Sequence, residues 1–219
     1  MIGGRKHLIM PILITLVLLA GCHHTEREFY PSGKPMIEKT CKGKKLDGAM
    51  VMWYASGTIK QKAMYRNDKL EGLLECWYAN GSKELEEMYG IGMRNGRSRN
   101  WDEQGNLLEE KYYRNDTLNG SYKMWFSTGI LKIDGYYNSG LYHGKWQYFS
   151  EVAMKVGEGI FVNGTGVLIG YDAMGHKNHE VNYLKNKKQG NEIEYDPNGR
   201  VKETKVFEQD RIVRVIKGG

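Results

Sequence analysis

Cysteine, proline and phenylalanine are scarce in this 219-residue chain, with three, four and five copies. Three cysteines are too few for a disulfide scaffold, and so little proline excludes a polyproline rod or a proline-rich linker. Past residue 21 no stretch is apolar enough to span a bilayer, and none shows a sustained 3.6-residue apolar period. Strong charge of one sign is also missing. The chain has 32 basic and 26 acidic residues, and setting aside Arg5 and Lys6 with the first 21 leaves an excess of only four. A basic cluster at Lys185, Lys187 and Lys188 is offset by Glu84, Glu86 and Glu87 elsewhere. A solvated surface is the reading this balance favours, and nucleic acid is not the expected partner.

The signatures of catalysis are missing too. No glycine loop cradles a phosphate, and no serine or cysteine stands in a nucleophile elbow. His176 and His179 are three apart, a spacing that on a strand points them to opposite sides and so argues against a metal pair. His143 falls in a turn position, and His23 and His24 read as tether. The acidic residues recur without a partner set apart in environment, as acid–base chemistry requires. The expectation is a protein with no catalytic residues, no metal and no cofactor.

What the chain does have begins at its start. Arg5 and Lys6 precede an apolar run from Leu8 to Ala20, which has the length of a secretory segment and is short for a membrane span. It ends in Leu19-Ala20-Gly21-Cys22, which resembles the bacterial lipobox. The resemblance implies a signal peptide over residues 1–21, diacylation of Cys22 and a short tether over residues 22–24. An uncleaved N-terminal anchor is the other reading. Expected localisation is the bacterial cell envelope, the outer membrane rather than the inner, with the membrane reached through the N-terminal lipid.

The rest of the chain repeats. YRNDKLEG, from Tyr65 to Gly72, returns as YRNDTLNG, from Tyr113 to Gly120, and these are two periods of a 24-residue repeat. Units begin at Thr25, Ala49, Leu73, Arg97, Ser121 and Lys145; the Lys145 unit is two residues short, and the next begin at Val167 and Asn191. The fifth column is aromatic throughout: Phe29, Trp53, Trp77, Trp101, Trp125, Phe149, Tyr171, Tyr195. The seventeenth reads Cys41, Tyr65, Tyr89, Tyr113, Tyr137, Phe161, Tyr183, Phe207, and most units close on glycine. An aromatic-rich run, a turn around glycine, a second alternating run and an Asn-Asp return make each unit a β-hairpin. A single hairpin cannot bury its rings, so units must stack. The fold expected for residues 25–219 is all-β, an elongated antiparallel sheet of about eight such repeats.

This pattern, aromatic–x3–Gly followed by Tyr-x-Asn-Asp/Gly-x3-Gly, resembles the MORN-variant repeat, which in bacteria occurs in exported lipoproteins and in YwqK-type antitoxins. Cys41 in the tyrosine column and Ala153 in the glycine column depart from it. The resemblance implies an elongated sheet acting as a binding or scaffolding surface.

Columns five and seventeen are both odd, and the expectation is that their rings share one face, opposite a wet face carrying Lys60, Lys62, Glu84, Glu86, Glu110, Lys132 and Asp134. Trp53, Trp77, Trp101 and Trp125 with Tyr65, Tyr89, Tyr113 and Tyr137 are then the candidate binding ladder. They serve as core, as a groove for a protein or an envelope polymer, or as both. An antitoxin or immunity role and an envelope glycan-binding role are the alternative functions. Cys41 and Cys76 fall three strand spacings apart in this register, so no disulfide is expected.

Overall fold

A computed structural model describes residues 22–218; the signal peptide expected over residues 1–21 lies outside the described residues. Among the described residues every regular element is a strand. The first repeats supply β1 (His23–Phe29), β2 (Pro35–Lys42), β3 (Lys45–Trp53), β4 (Ile59–Arg66), β5 (Lys69–Leu70), β6 (Gly72–Trp77) and β7 (Lys83–Gly90). The middle supplies β8 (Met93–Trp101), β9 (Leu107–Arg114), β10 (Thr117–Trp125), β11 (Leu131–Asn138), β12 (Leu141–Tyr142) and β13 (Gly144–Phe149). The last are β14 (Lys155–Val162), β15 (Thr165–Tyr171), β16 (Lys177–Leu184), β17 (Lys187–Tyr195), β18 (Val201–Glu208) and β19 (Arg211–Lys217). Each pairs antiparallel with its neighbour in sequence. The pieces β5–β6 and β12–β13 are each one strand broken by a single residue, Glu71 or His143. The tandem hairpin sheet expected from the repeat is therefore the fold. His23 and His24, read as tether, are instead the first residues of β1, paired with Lys42 and Cys41.

Both margins of the sheet are stitched from unit to unit. At the Asn-Asp return, Asn67 and Asp68 hold φ of 49° and 66°, a left-handed pair that asparagine and aspartate tolerate. The Asp68 amide then donates to the Leu46 carbonyl at 2.8 Å, and its Oδ1 accepts the Leu46 amide at 2.8 Å. Asp116 makes the same two bonds to Arg94, at 2.9 and 3.0 Å. The repeated eight letters thus write the same clamp twice. At the opposite margin the Tyr30, Tyr54 and Tyr78 hydroxyls donate to the carbonyls of Trp53, Trp77 and Trp101 in the following unit, at 2.7–2.8 Å.

The two aromatic columns do not share a face. Met52 pairs with Gln61, but Trp53 pairs with Ile59, so Lys60 is an extra residue. A one-residue slip exchanges the faces of everything beyond it. Such a bulge precedes every fifth-column aromatic, from Phe29 to Tyr195. Odd positions of a unit's first strand consequently share a face with even positions of its second. Trp77 stands with Lys62 and Glu86, while Tyr89 stands with Leu74 and Glu87.

The tyrosine face is the core face. Cys41, Ala63, Trp146, Phe161, Val181 and Phe207, together with Glu87, Ser98 and Glu192, are the buried residues with side chains among those described, and all nine lie on it. Its densest part surrounds Trp146. Tyr122 stacks on that ring at 5.7 Å between centroids, Tyr137 meets it edge-on at 5.0 Å, and Tyr142 lies at 4.5 Å. Phe161 and Tyr183 extend the cluster at 5.8 Å from each other. Pairs of this kind contribute about 0.5–1.5 kcal/mol each beyond the area they bury.

Candidate functional site

The opposite face, which carries the tryptophans, is built by pairing of charges. Its central row runs across consecutive strands through Lys62, Glu75, Glu86, Arg99, Glu110, Lys123 and Asp134. Lys83 reaches Glu75 at 2.7 Å and Glu86 at 3.1 Å, Arg97 reaches Glu86 at 3.3 Å, and Arg99 reaches Glu110 at 2.6 Å. Burial resists the charge on Glu86, yet the Lys83 and Arg97 bonds outweigh it and hold its carboxyl below the usual range. The lysines also lie over the rings. Lys62 Nζ is 5.6 Å from the Trp77 ring, and Lys83 Nζ is 5.8 Å from both Trp77 and Trp101, within cation–π reach. Trp53, Trp77, Trp101 and Trp125 are each half-buried.

Toward the C-terminus this face changes character. The row continues through Gln147, Glu158, Ile169, Glu180 and Ile193, so isoleucine replaces every second charge. Lys145, Glu158, Ile160, Val167 and Ile169 line a recess of about 570 Å³. Ile160 projects there with 73% of its surface exposed. A face of tryptophans and balanced ion pairs that runs into an apolar recess is suited to a macromolecule of mixed character.

The eight candidate ladder residues therefore divide. Trp53, Trp77, Trp101 and Trp125 belong to this face. Tyr65, Tyr89, Tyr113 and Tyr137 stand half-buried on the core face, directly across from Gly48, Gly72, Gly96 and Gly120. The Tyr89 hydroxyl donates to Glu87 at 2.8 Å, and Arg94 covers the Tyr113 ring at 4.1 Å. Cys22 is exposed and directly precedes β1. Cys41 and Cys76 are free thiols on β2 and β6, with β3 and β4 between them. His176 belongs to a turn, beside Asp172 at 3.4 Å, and His179 meets Glu192 on the core face at 2.8 Å. Sequence reasoning missed the sixth-column tyrosines, whose signal is their recurrence at Tyr30, Tyr54 and Tyr78 one residue after each ring. It also passed over Trp146, the second-column residue around which the core is built.

The titratable groups show the same economy. Burial pushes the Cys41 and Cys76 thiols up, away from the thiolate a nucleophile needs. Glu26, Glu86, Glu158, Glu192 and Glu203 all lie below their ordinary range, each hydrogen-bonded to a lysine or a histidine. A general acid would need a carboxyl shifted the other way.

With that geometry in hand, two segments of the chain, residues 46–67 and 94–115, match the family described as MORN repeat variant. They are β3 with β4 and β8 with β9, each running from the strand that opens a hairpin to the Asn-Asp return. Repeats of this family are non-catalytic modules for scaffolding or binding. No curated protein matches the chain.

Proposed function

We propose that this protein is a lipid-anchored, non-enzymatic repeat scaffold of the bacterial envelope that holds a protein partner against its tryptophan face. The observation that carries this reading is the inequality of the two faces. Among the described residues every buried side chain lies on the tyrosine side, so the fold draws its packing from there. The tryptophan side keeps four tryptophans in register, none of them fully buried, at the spacing of alternate strands. Tryptophan dominates binding hot spots because it joins a large apolar area to a polar tip. Anchoring rests on the lipobox and on Cys22, which is exposed one residue before β1.

The test places a photo-crosslinking residue singly at Lys62, Arg99 or Lys123 on the tryptophan face, and at Gln61, Asn100 or Met124 on the core face, in cells carrying the full chain. The reading expects one discrete protein adduct from the first set and none from the second. Adducts from the core-face positions alone, or adducts that contain glycan and no protein, would overturn it. Labelling the same cells with an acyl probe checks the anchor. The probe should tag the native chain and not Cys22→Ala.

A further inference from the structure

Seven pairs obey one rule at the margin of the Asn-Asp returns: a unit's closing glycine faces an aromatic ring across the strand pair. The pairs are Gly48 with Tyr65, Gly72 with Tyr89, and so on to Gly190 with Phe207. The first unit breaks the rule on both sides at once. His24 stands where the glycine belongs, Cys41 stands where the ring belongs, and the two are cross-strand partners on β1 and β2. Two residues along β1 on the same face is Glu26. A ligand atom from each of the three lies within 4.8 Å of the others.

We propose that His24, Glu26 and Cys41 form a binding site for a transition-metal ion of the zinc class. Imidazole, carboxylate and thiolate together suit that ion, whereas calcium and magnesium take oxygen alone. Ligands 2.0–2.3 Å from a tetrahedral zinc lie roughly 3.3–3.8 Å apart. His24 Nε2 and Glu26 Oε1 are already 3.1 Å apart. Closing the rest falls to His24 and Glu26, both exposed and free to change rotamer, while Cys41 is buried and fixed.

The surroundings support the set. Glu26 Oε2 is held by Lys39 Nζ at 3.2 Å, which leaves Oε1 to His24 Nε2 at 3.1 Å. Lys39 also approaches Glu28 at 3.7 Å, so it bridges the two carboxylates of β1. Outer partners that orient a ligating carboxylate in this way are a general feature of metal sites. Three protein ligands leave a fourth position for water or for a donor from outside, and the thiol gives its proton to solvent as the bond to sulfur forms. The bound ion would clamp β1, whose seven residues are all exposed, onto β2.

The experiment titrates the full chain, purified in detergent, with cobalt(II) as a spectroscopic stand-in and then with zinc. The proposal expects uptake of one cobalt with a thiolate-to-cobalt charge-transfer band, and displacement of that cobalt by zinc. The band should vanish in Cys41→Ser and persist in Cys76→Ser and Cys22→Ser. His24→Gln should weaken cobalt binding at least tenfold, a floor set by the roughly 10–100-fold that outer-shell changes already cost. Because Cys41→Ser alters a buried position, melting curves accompany each titration. If that variant does not fold, His24→Gln and Glu26→Gln, both at exposed positions, decide the matter. No charge-transfer band in a natively melting wild type, a band surviving in folded Cys41→Ser, loss of the band in either other cysteine variant, or unchanged affinity in His24→Gln would each overturn the proposal.

Discussion

Gly135 shows how a single hydrogen atom can decide a core. A Cβ added there would fall 2.4–2.6 Å from three atoms of the Trp146 ring, and that ring is only 2% exposed. The indole is also tied down by its Nε1, which donates to the Tyr136 carbonyl at 3.1 Å. Trp146 therefore cannot swing aside, and Gly135→Ala should cost about 1–3 kcal/mol of overpacking. Gly105 is the control. It takes a φ of 87° with open space around it, so Gly105→Ala should cost only the roughly 1 kcal/mol of left-handed strain. Denaturant melts of the two variants should rank in that order; equal losses would mean that the Trp146 ring is free to move.

Glu192 makes an electrostatic prediction at the same scale. It is 8% exposed and accepts from Lys188 at 2.6 Å and His179 at 2.8 Å. Burial raises its pKa, and the bonds to Lys188 and His179 more than reverse this, so the folded value lies below the ordinary one. A depressed carboxyl contributes stability that is present above the unfolded value of about 4.3 and is lost as pH falls through the folded value. Glu192→Gln should thus cost about 1–3 kcal/mol near neutral pH. The gap to wild type should close as pH drops below about 4.3. A gap that stays constant down to pH 2 would remove the ion pair from the account.

Among the elements, the bulge before each fifth-column aromatic has the largest consequence. The period, the hairpins and the return turns were legible because each is carried by residue types at fixed spacing: Asn67-Asp68, Gly57, Tyr65 and their counterparts. The bulge was not. Lys60 is the extra residue, and nothing in its type distinguishes it from Lys62. Column parity therefore survived on the second strand, where Lys62, Glu86 and Glu110 do lie on the wet face, and failed on the first, where Met50, Tyr122 and Trp146 point into the core. The facial placement of the candidate ladder was legible in the same half measure. Its four tryptophans do share one face, and its four tyrosines stand on the other.

The hydroxyl bonds between hairpins offer a test at this scale. Tyr78 donates across a unit boundary to the Trp101 carbonyl at 2.8 Å. Tyr78→Phe keeps the ring and deletes that bond, so it should lower stability by about 0.5–1.5 kcal/mol. In hydrogen exchange the loss should concentrate in the turns joining β6–β7 to β8–β9. An effect spread evenly over all units would contradict the boundary role.

At the scale of the whole molecule the protein is close to one-dimensional. Every substantial contact between strands is with a sheet neighbour, so stability accumulates from unit to unit. The ends are where such a stack is vulnerable. β19 is exposed along its whole length and carries Arg211, Arg214 and Lys217, charges that discourage edge-to-edge pairing. β1 is equally exposed, and there the proposed metal clamp would sit. Between the ends one face closes on itself through tyrosine, phenylalanine and Trp146, and the other is left to tryptophan and paired charge.

That division of faces is the central claim, and the five indole N–H resonances of the native chain test it directly. A soluble paramagnetic agent added to the full chain in detergent relaxes those nuclei that solvent can approach, and Trp146→Phe assigns the resonance that disappears. The account predicts strong relaxation of the Trp53, Trp77, Trp101 and Trp125 signals, with Trp146 alone protected by its burial and its bond to Tyr136. Five signals protected alike would mean that the tryptophans share a closed core, and the binding face would not exist.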